Sequence, residues 1–162
     1  MTHVYVGIGS NFEREKNIRY ALACLHKTYM HLTISSVYKN KDIRCEGDDF
    51  YNLVAGFNTN ADLVNLIKSF QNIEYRCGRV RNKKDSIYPL DIDLLLFGDL
   101  IYKKGKIQVP RAELIEHTFV LRPLAEIAGN EKHPEIGKRF KDLWDEFPKK
   151  DQHPLTLVQM RF

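Results

Sequence analysis

Two aspartates alternate with apolar residues in the stretch YPLDIDLLLF, residues 88–97. Side chains at positions i and i+2 of a β-strand share a face, so Asp91 and Asp93 project together, with Cα atoms about 7 Å apart. Neighbouring carboxylates repel each other and lose hydration unless a cation neutralises them. Mg²⁺ is commonly held by one or two carboxylates and by phosphate oxygens. The spacing indicates a cation clamp or, alternatively, a pair at a solvated strand end that is neutralised by Lys or Arg.

A basic segment, RVRNKKDSIY at 79–88, directly precedes this strand. Arginine forks bind phosphate through paired hydrogen bonds and stabilise the charge of a phosphoryl group during its transfer. Gln71 and Glu74 lie three residues apart near the end of a predicted helix, so they share a face that leads into the basic segment. An anionic clamp beside a cationic loop favours phosphoryl transfer. The alternative is that Arg79, Arg81 and Glu74 are ordinary surface charges. No GxxxxGK[ST] pattern is present, which excludes a P-loop.

The elements that must position these residues follow a simple order. Periodicity predicts strands at 4–8, 32–39, 50–58 and 90–97, and helices at about 13–27 and from Asn60, as the N-terminal cap, to about Cys77. The order β-α-β-β-α-β is that of a ferredoxin-like α/β (α+β) fold, with an antiparallel sheet and two helices on one face. The other face of the sheet then needs a cover or becomes a site.

Two further segments complete this prediction. A hairpin is expected over 100–109, and one or two short helices over 112–129 form a C-terminal helical extension. The apolar residues of the fourth strand are expected to pack under the two core helices; they are Leu90, Ile92, Leu94 and Leu96.

Composition indicates one soluble domain over 1–162. The chain is 43% hydrophobic and 28% charged, enough for a buried core, and its net charge of +4 suits a polyphosphate ligand, RNA or a plain solvated surface. Its three cysteines are scattered, which predicts neither a zinc knuckle nor a disulfide framework. No signal peptide or membrane-length apolar run is recognisable. A cytoplasmic monomer that does not bind membranes or nucleic acid is expected.

Seven short motifs, spread over nearly the whole chain, make it similar to a known family. They are VGIGSN (6–11), SSVYK (35–39), DFYNLVAGF (49–57), QNIEYRCGRVR (71–81), LDIDLLLFG (90–98), VPR (109–111) and FVLRPLAEIA (119–128). With them the chain resembles the 6-hydroxymethyl-7,8-dihydropterin pyrophosphokinases of folate biosynthesis. These enzymes move pyrophosphate from ATP to the hydroxymethyl group of a pterin. The resemblance implies the ferredoxin-like fold, ATP, and two Mg²⁺ ions held by Asp91 and Asp93.

The same resemblance implies roles for further residues. Asn52 would hydrogen-bond the pterin, with Asn40 in the loop beside it. Phe119, together with Phe50 or Tyr51, would sandwich the flat ring, a geometry that aromatic stacking favours. The remaining implied positions all face ATP or its phosphates; they are Gln71, Glu74, Arg79, Arg81, Lys84 and Arg111.

The chain departs from the family pattern just before the aspartate pair. Tyr88 stands where the family has an arginine that contacts the transferring phosphates, and Asp85 stands where an aromatic residue closes over the pterin. Arg111 replaces a histidine, and His117 replaces an arginine. A tyrosine donates one hydrogen bond but brings no positive charge. We hypothesise that Arg111 supplies the charge that is missing at position 88.

Two other functions fit parts of the pattern. A divergent member of the family would bind pterin or nucleotide with weak or no turnover, or would act on a modified pterin. An RNA-recognition module shares the β-α-β-β-α-β order, but FYNLVAGF lacks the preceding basic residue and glycine of its aromatic motif. Dependence of ligand binding on magnesium separates the RNA-binding alternative from the family's chemistry.

Overall fold

A computed structural model describes residues 1–44, 46–79, 86–148 and 154–162. Within them, a six-stranded sheet carries helices on both faces. In chain order the elements are β1 (Thr2–Ser10), α1 (Arg14–Thr28), β2 (Thr33–Ile34), β3 (Val37–Asn40), β4 (Phe50–Thr59), α2 (Leu63–Arg76), β5 (Asp91–Phe97), β6 (Tyr102–Lys104), β7 (Ile107–Val109), a 3-10 helix (Ala112–Ile115), α3 (Thr118–Ala128), α4 (Phe140–Asp145) and β8 (Thr156–Val158). None of the described helices is both long and apolar enough to cross a bilayer.

The sheet has the strand order β5-β1-β4-β3-β8, with the short β2 also beside β4, and each of these pairings is antiparallel. The longest pairing joins β1 to β4, from Thr2 opposite Thr59 to Ser10 opposite Tyr51. This arrangement confirms the predicted ferredoxin-like core. The predicted hairpin is also confirmed, as β6 paired with β7.

Two apolar layers hold the sheet. On one face α1 and α2 cover β1, β4 and β5, and the helical spacing of Leu66, Phe70 and Ile73 buries one side of α2. On the other face α3 and α4 pack over the middle of the sheet, with Leu121 and Phe140 buried beneath them. This second layer leaves the neighbouring ends of β1, β4 and β5 uncovered. The C-terminal extension is therefore helical as expected and provides part of the cover that the second face requires.

A β-bulge corrects the predicted packing of β5. Tyr5 of β1 pairs with Leu96 while Val6 pairs with Leu94, so Leu95 is an additional residue in the ladder. Leu90, Ile92 and Leu94 pack under α1 and α2 as expected. Leu96 does not, because the extra residue reverses the alternation, and it packs on the opposite face beneath α3 and α4.

Two element boundaries also differ from the prediction. Asp62, not Asn60, caps α2, because its Oδ1 accepts a hydrogen bond from the backbone N–H of Asn65 at 2.8 Å. The strand predicted over 32–39 is divided into β2 and β3 at Ser35, whose hydroxyl accepts from the N–H of Val54 at 2.9 Å. A side-chain hydrogen bond thus replaces a rung of the ladder at that point. The edge strand β8 was not predicted.

Candidate active site

Two cavities meet at the aspartate pair on the partly covered face of the sheet. The first, which we call the aromatic cavity, has a volume of about 280 Å³ and is lined among others by Asn40, Phe50, Asn52, Tyr88 and Phe119. The second, the polar cavity, has a volume of about 340 Å³ and is lined among others by Gln71, Glu74, Arg79, Lys106 and Gln108. Asp91, Asp93 and Arg111 line both. The residues expected to act on phosphates therefore lie between a cavity suited to a flat ring and a cavity suited to a charged ligand.

The register of β5 against β1 leaves space around the two carboxylates. Asp91 lies opposite Gly9 and Asp93 opposite Gly7, so neither faces a neighbouring side chain on the adjacent strand. A Cβ atom at Gly9 would come within 2.5 Å of Asn52 Oδ1, so glycine also permits β4 to present Asn52 to the cavity. Burial and the charge of Asp91 hold the pKa of Asp93 well above its usual range, although the nearby Arg111 lowers it.

An arginine at the end of α2 anchors the first of these aspartates. Arg79 Nη1 lies 2.6 Å from Asp91 Oδ1 and 2.5 Å from Glu74 Oε2. Glu74 is 2% exposed, and Oε2 also accepts from the backbone N–H of Ile92 at 2.9 Å. Burial alone would lower the pKa of Arg79, but the charges of Asp91 and Glu74 outweigh it and raise that pKa. Glu74 therefore joins α2 to β5, in addition to lining the polar cavity.

Arg111 approaches the second aspartate from the segment after β7. Its Nη2 lies 3.5 Å from Asp93 Oδ1, and its Nε lies 3.1 Å from Glu113 Oε2. The backbone N–H of Arg111 donates to the carbonyl of Leu95, which fixes the segment against β5 at 3.0 Å. Within the described ranges, one guanidinium thus lies beside each of the two aspartates, Arg79 beside Asp91 and Arg111 beside Asp93.

The residues expected to contact the pterin come from adjacent strands. Asn52 on β4 donates through Nδ2 to Asn40 Oδ1 of β3 at 2.6 Å, so the two side chains orient each other. Phe119, at the start of α3, is stacked on His117 with 4.9 Å between ring centroids. Phe50 lines the aromatic cavity, whereas Tyr51 packs on the opposite face, where Arg14 lies 4.0 Å from its ring centroid.

The donor set suits a hard cation that brings further ligands with it. Among the described residues, no group of three or more His, Cys, Asp or Glu side chains is arranged to hold a metal ion. Two carboxylates on one strand face match Mg²⁺ that completes its shell with water and phosphate oxygens. A cation between them would also relieve the repulsion that raises the pKa of Asp93.

Several lining residues escaped the sequence prediction. Lys106 and Gln108 belong to the β6–β7 hairpin, and Asp42 and Arg44 belong to the loop between β3 and β4. Residues in loops, or in a strand of only three residues such as β7, carry no periodic signal that could place them beside β5. Two predicted residues, Arg81 and Lys84, and also Asp85 of the family comparison, lie outside the described residues.

Comparison with known proteins gives one consistent result. The family model for 7,8-dihydro-6-hydroxymethylpterin-pyrophosphokinase (HPPK) matches residues 5–129. A 2-amino-4-hydroxy-6-hydroxymethyldihydropteridine pyrophosphokinase of Haemophilus influenzae is 31% identical over 153 residues, covering 88% of this chain and 95% of that protein. The corresponding protein of Pseudomonas aeruginosa is 32% identical, with coverage of 86% and 88%.

Longer proteins also match. Folic acid synthesis protein fol1 of Schizosaccharomyces pombe is 28% identical over 89% of this chain, which spans 20% of that protein. The crystal structure of wild-type Plasmodium falciparum HPPK-DHPS with pteroate superimposes with a TM-score of 0.71 at 12% identity, covering 90% of this chain and 42% of that one. At such low identity the structural match supports the fold alone.

Proposed function

This chain belongs to the 7,8-dihydro-6-hydroxymethylpterin-pyrophosphokinase family, and we propose on that basis that it transfers pyrophosphate from ATP to the hydroxymethyl group of 6-hydroxymethyl-7,8-dihydropterin. The products would be AMP and the pterin diphosphate, an intermediate of folate biosynthesis. One observation carries the proposal: Asp91 and Asp93 lie on the wall shared by an aromatic and a polar cavity. The protein would act as a single-domain monomer over residues 1–162.

The aromatic cavity is the proposed pterin site. Phe50 and Phe119 would stack on the two faces of the ring, since flat heterocycles gain from contact with aromatic faces. Asn52, already oriented by Asn40, would hydrogen-bond the polar edge of the pterin. A ligand in this orientation would place its hydroxymethyl group toward Asp91 and Asp93.

The polar cavity is the proposed nucleotide site. Gln71 and Glu74 would lie on the side of the nucleoside, with Lys106 opposite. Arg79 and Arg111 would face the phosphates, since both guanidinium groups already lie beside the aspartate pair. Arg81 and Lys84 are assigned to the same phosphates by the family resemblance alone.

Asp91 and Asp93 would hold magnesium, and we propose two ions. The metal supplies neutralisation of phosphate charge and activation of the attacking hydroxyl. The chain's own residues orient the two substrates and exclude water from the reacting atoms, so positioning and electrostatics account for most of the acceleration.

The transfer itself is a displacement at the β-phosphorus. The hydroxymethyl oxygen forms a bond to the β-phosphorus, the bond from the β-phosphorus to the α–β bridging oxygen breaks, and AMP leaves with that electron pair. Either Asp91 or Asp93 would accept the proton of the hydroxyl.

The alternative function is binding of pterin or nucleotide with weak or no turnover, or action on a modified pterin. Tyr88 favours it, because the resemblance places an arginine at that position. Loss of one phosphate-contacting cation typically reduces the rate by ~10²–10³. Our hypothesis that Arg111 compensates would be overturned by normal turnover of an Arg111→Glu variant.

Release of AMP from ATP, Mg²⁺ and 6-hydroxymethyl-7,8-dihydropterin tests the proposed function. We expect AMP that depends on the pterin and that disappears in an Asp91→Ala variant. Absence of AMP from the wild-type protein, together with tight magnesium-dependent binding of ATP, would support the alternative. Turnover that is unaffected by Asp91→Ala would contradict the role of the aspartate pair.

A further inference from the structure

The guanidinium of Arg44 is fixed in the wall of the aromatic cavity by a buried carboxylate. Its Nε and Nη2 donate to the two oxygens of Asp42 at 3.0 and 2.7 Å. The Asp42 side chain is 2% exposed and also accepts from the backbone N–H of Gly47 at 3.2 Å. Burial alone would raise the pKa of Asp42, but hydrogen bonds from Arg44 and its charge outweigh burial and lower that pKa. The pair is therefore ionised, and the guanidinium is held in one orientation.

The remaining terminal nitrogen of Arg44 contacts the residue at position 88. Nη1 donates to Tyr88 Oη at 2.7 Å, and the guanidinium carbon lies 4.5 Å from the centroid of the tyrosine ring. The centroid of the Tyr88 ring also lies 5.9 Å from the centroid of the Phe50 ring and 5.5 Å from the guanidinium carbon of Arg79. Tyr88, which carries no positive charge, is thus in direct contact with Arg44 from the β3–β4 loop.

The segment of Tyr88 is anchored to the end of β1, and the loop of Arg44 packs closely against that segment. The N–H of Tyr88 donates to Asn11 Oδ1 at 2.6 Å, and the N–H of Asn11 donates to the carbonyl of Tyr88 at 3.0 Å. A Cβ atom at Gly47 would lie 2.5 Å from the carbonyl oxygen of Ser86. Glycine therefore allows the loop that carries Arg44 to approach the segment of Tyr88 closely, so their contact is part of the fold.

Arg44 is less neutralised than the other arginines that line the two cavities. Arg79 and Arg111 each contact two carboxylates, whereas Arg44 contacts one, Asp42, within the described part of the chain. A guanidinium has five N–H donors. Among the described residues, Asp42 and Tyr88 accept from three of them, which leaves two N–H groups of Arg44 able to donate to an anion.

We propose that Arg44 contacts a phosphate group of the bound nucleotide and that Tyr88 holds it in place for that contact. The inference rests on the proposed function for the identity of the nucleotide. In this arrangement Arg44 supplies the positive charge that Tyr88 lacks, from the β3–β4 loop instead of the segment before β5. Arg44 lines the aromatic cavity, and that cavity meets the nucleotide site at Asp91 and Asp93, which line both. The contact would therefore be a charge-assisted hydrogen bond to the β- or γ-phosphate where it reaches this shared wall.

Equilibrium binding tests this contact without requiring turnover. Titration calorimetry would measure the affinity of α,β-methylene-ATP with Mg²⁺, and separately of AMP, for the wild-type protein and for Arg44→Gln. We expect the analogue to bind about 10- to 100-fold more weakly to the variant. AMP should bind equally to both proteins, because it lacks the β- and γ-phosphates. Arg139→Gln, at an exposed arginine on another part of the surface, is the matched control and should not change either affinity.

Two more variants separate phosphate contact from folding. Arg44→Gln leaves the Asp42 carboxylate buried without its partner, so the double variant Asp42→Asn/Arg44→Gln removes both charges together. We expect it to bind the analogue as weakly as the single variant. In the double variant Arg44→Gln/Tyr88→Arg, a guanidinium is returned to the same place, and analogue affinity should recover. A structural role for Arg44 would not produce this recovery.

Three results would overturn the proposal: unchanged analogue affinity in Arg44→Gln, equal weakening of AMP and analogue, or no recovery with Tyr88→Arg. Failure of the proposed function is a separate result. A wild-type protein that binds the analogue but forms no AMP with pterin contradicts pyrophosphate transfer. The affinities of the wild-type and Arg44→Gln proteins for the analogue can still be compared in that case. A wild-type protein that does not bind the analogue contradicts both.

Discussion

Replacing Glu74 by alanine is expected to destabilise the fold and to weaken the attachment of the aspartate pair. The carboxylate is buried and accepts from both Arg79 and the backbone N–H of Ile92. Removing one partner of a buried ion pair costs about 3–5 kcal/mol, and an unsatisfied backbone N–H about 1–3 kcal/mol. Arg79 keeps its contact with Asp91, and its side chain is 19% exposed, so water partly replaces the lost partner. We therefore expect both costs near their lower limits, about 4 kcal/mol in total.

Urea unfolding followed by circular dichroism would measure this loss, with a fall of about 8–16 °C in Tm as an independent readout. Glu74→Gln retains an oxygen for Ile92 and should cost only about 1–2 kcal/mol. Glu135→Ala, at an exposed glutamate, is the control and should stay within about 0.5 kcal/mol of the wild-type protein. An equally small change in Glu74→Ala would refute the reasoning, because the carboxylate would then not be the link between α2 and β5.

Asp93→Asn should raise the Tm of the metal-free protein more at pH 7 than at pH 4, because a folded-state pKa above the unfolded value means that ionisation costs stability as pH rises; an equal or opposite shift would contradict this. Phe119→Ala should weaken pterin binding about 10-fold in a calorimetric titration, whereas Tyr51→Phe, on the opposite face, should not. Mg²⁺ alone should leave Tm nearly unchanged, but Mg²⁺ with α,β-methylene-ATP should raise it, because two carboxylates do not complete a metal shell.

The architecture could be predicted from periodicity because each core element carries a strong pattern. The helical spacing in α2 and the alternation in β5 locate both elements correctly. The bulge at Leu95 could not be predicted, since a run of consecutive leucines reads the same with or without an extra residue in the ladder. The edge strand β8 was missed for a similar reason: three residues are too few to show a period.

In the site as well, the positions of residues on strands could be predicted, whereas those of residues in loops could not. Asp91, Asp93 and Asn52 lie on strands whose alternation fixes the face they occupy, and the structure brings all three to the aromatic cavity. Arg44 is different, because its position depends on a contact between two loops that are 44 residues apart in sequence. Such long-range contacts leave no local pattern, and the sequence offered Arg111 as the compensating cation instead.

Because the carboxylates lie on a strand and the cations lie in loops, substitutions affect the two groups differently. The strand register fixes the position of the two carboxylates. A shift of β5 by one residue would turn both Asp91 and Asp93 to the face covered by α1 and α2. Arg79 and Arg111 reach the aspartate pair from the end of α2 and from the segment after β7. Arg44 enters the aromatic cavity, which the two aspartates also line, from the β3–β4 loop. A guanidinium can therefore enter from another loop without any change in strand register. Replacement of an arginine at position 88 by Tyr88 is then compatible with a working phosphate site, provided that a loop residue such as Arg44 delivers the charge.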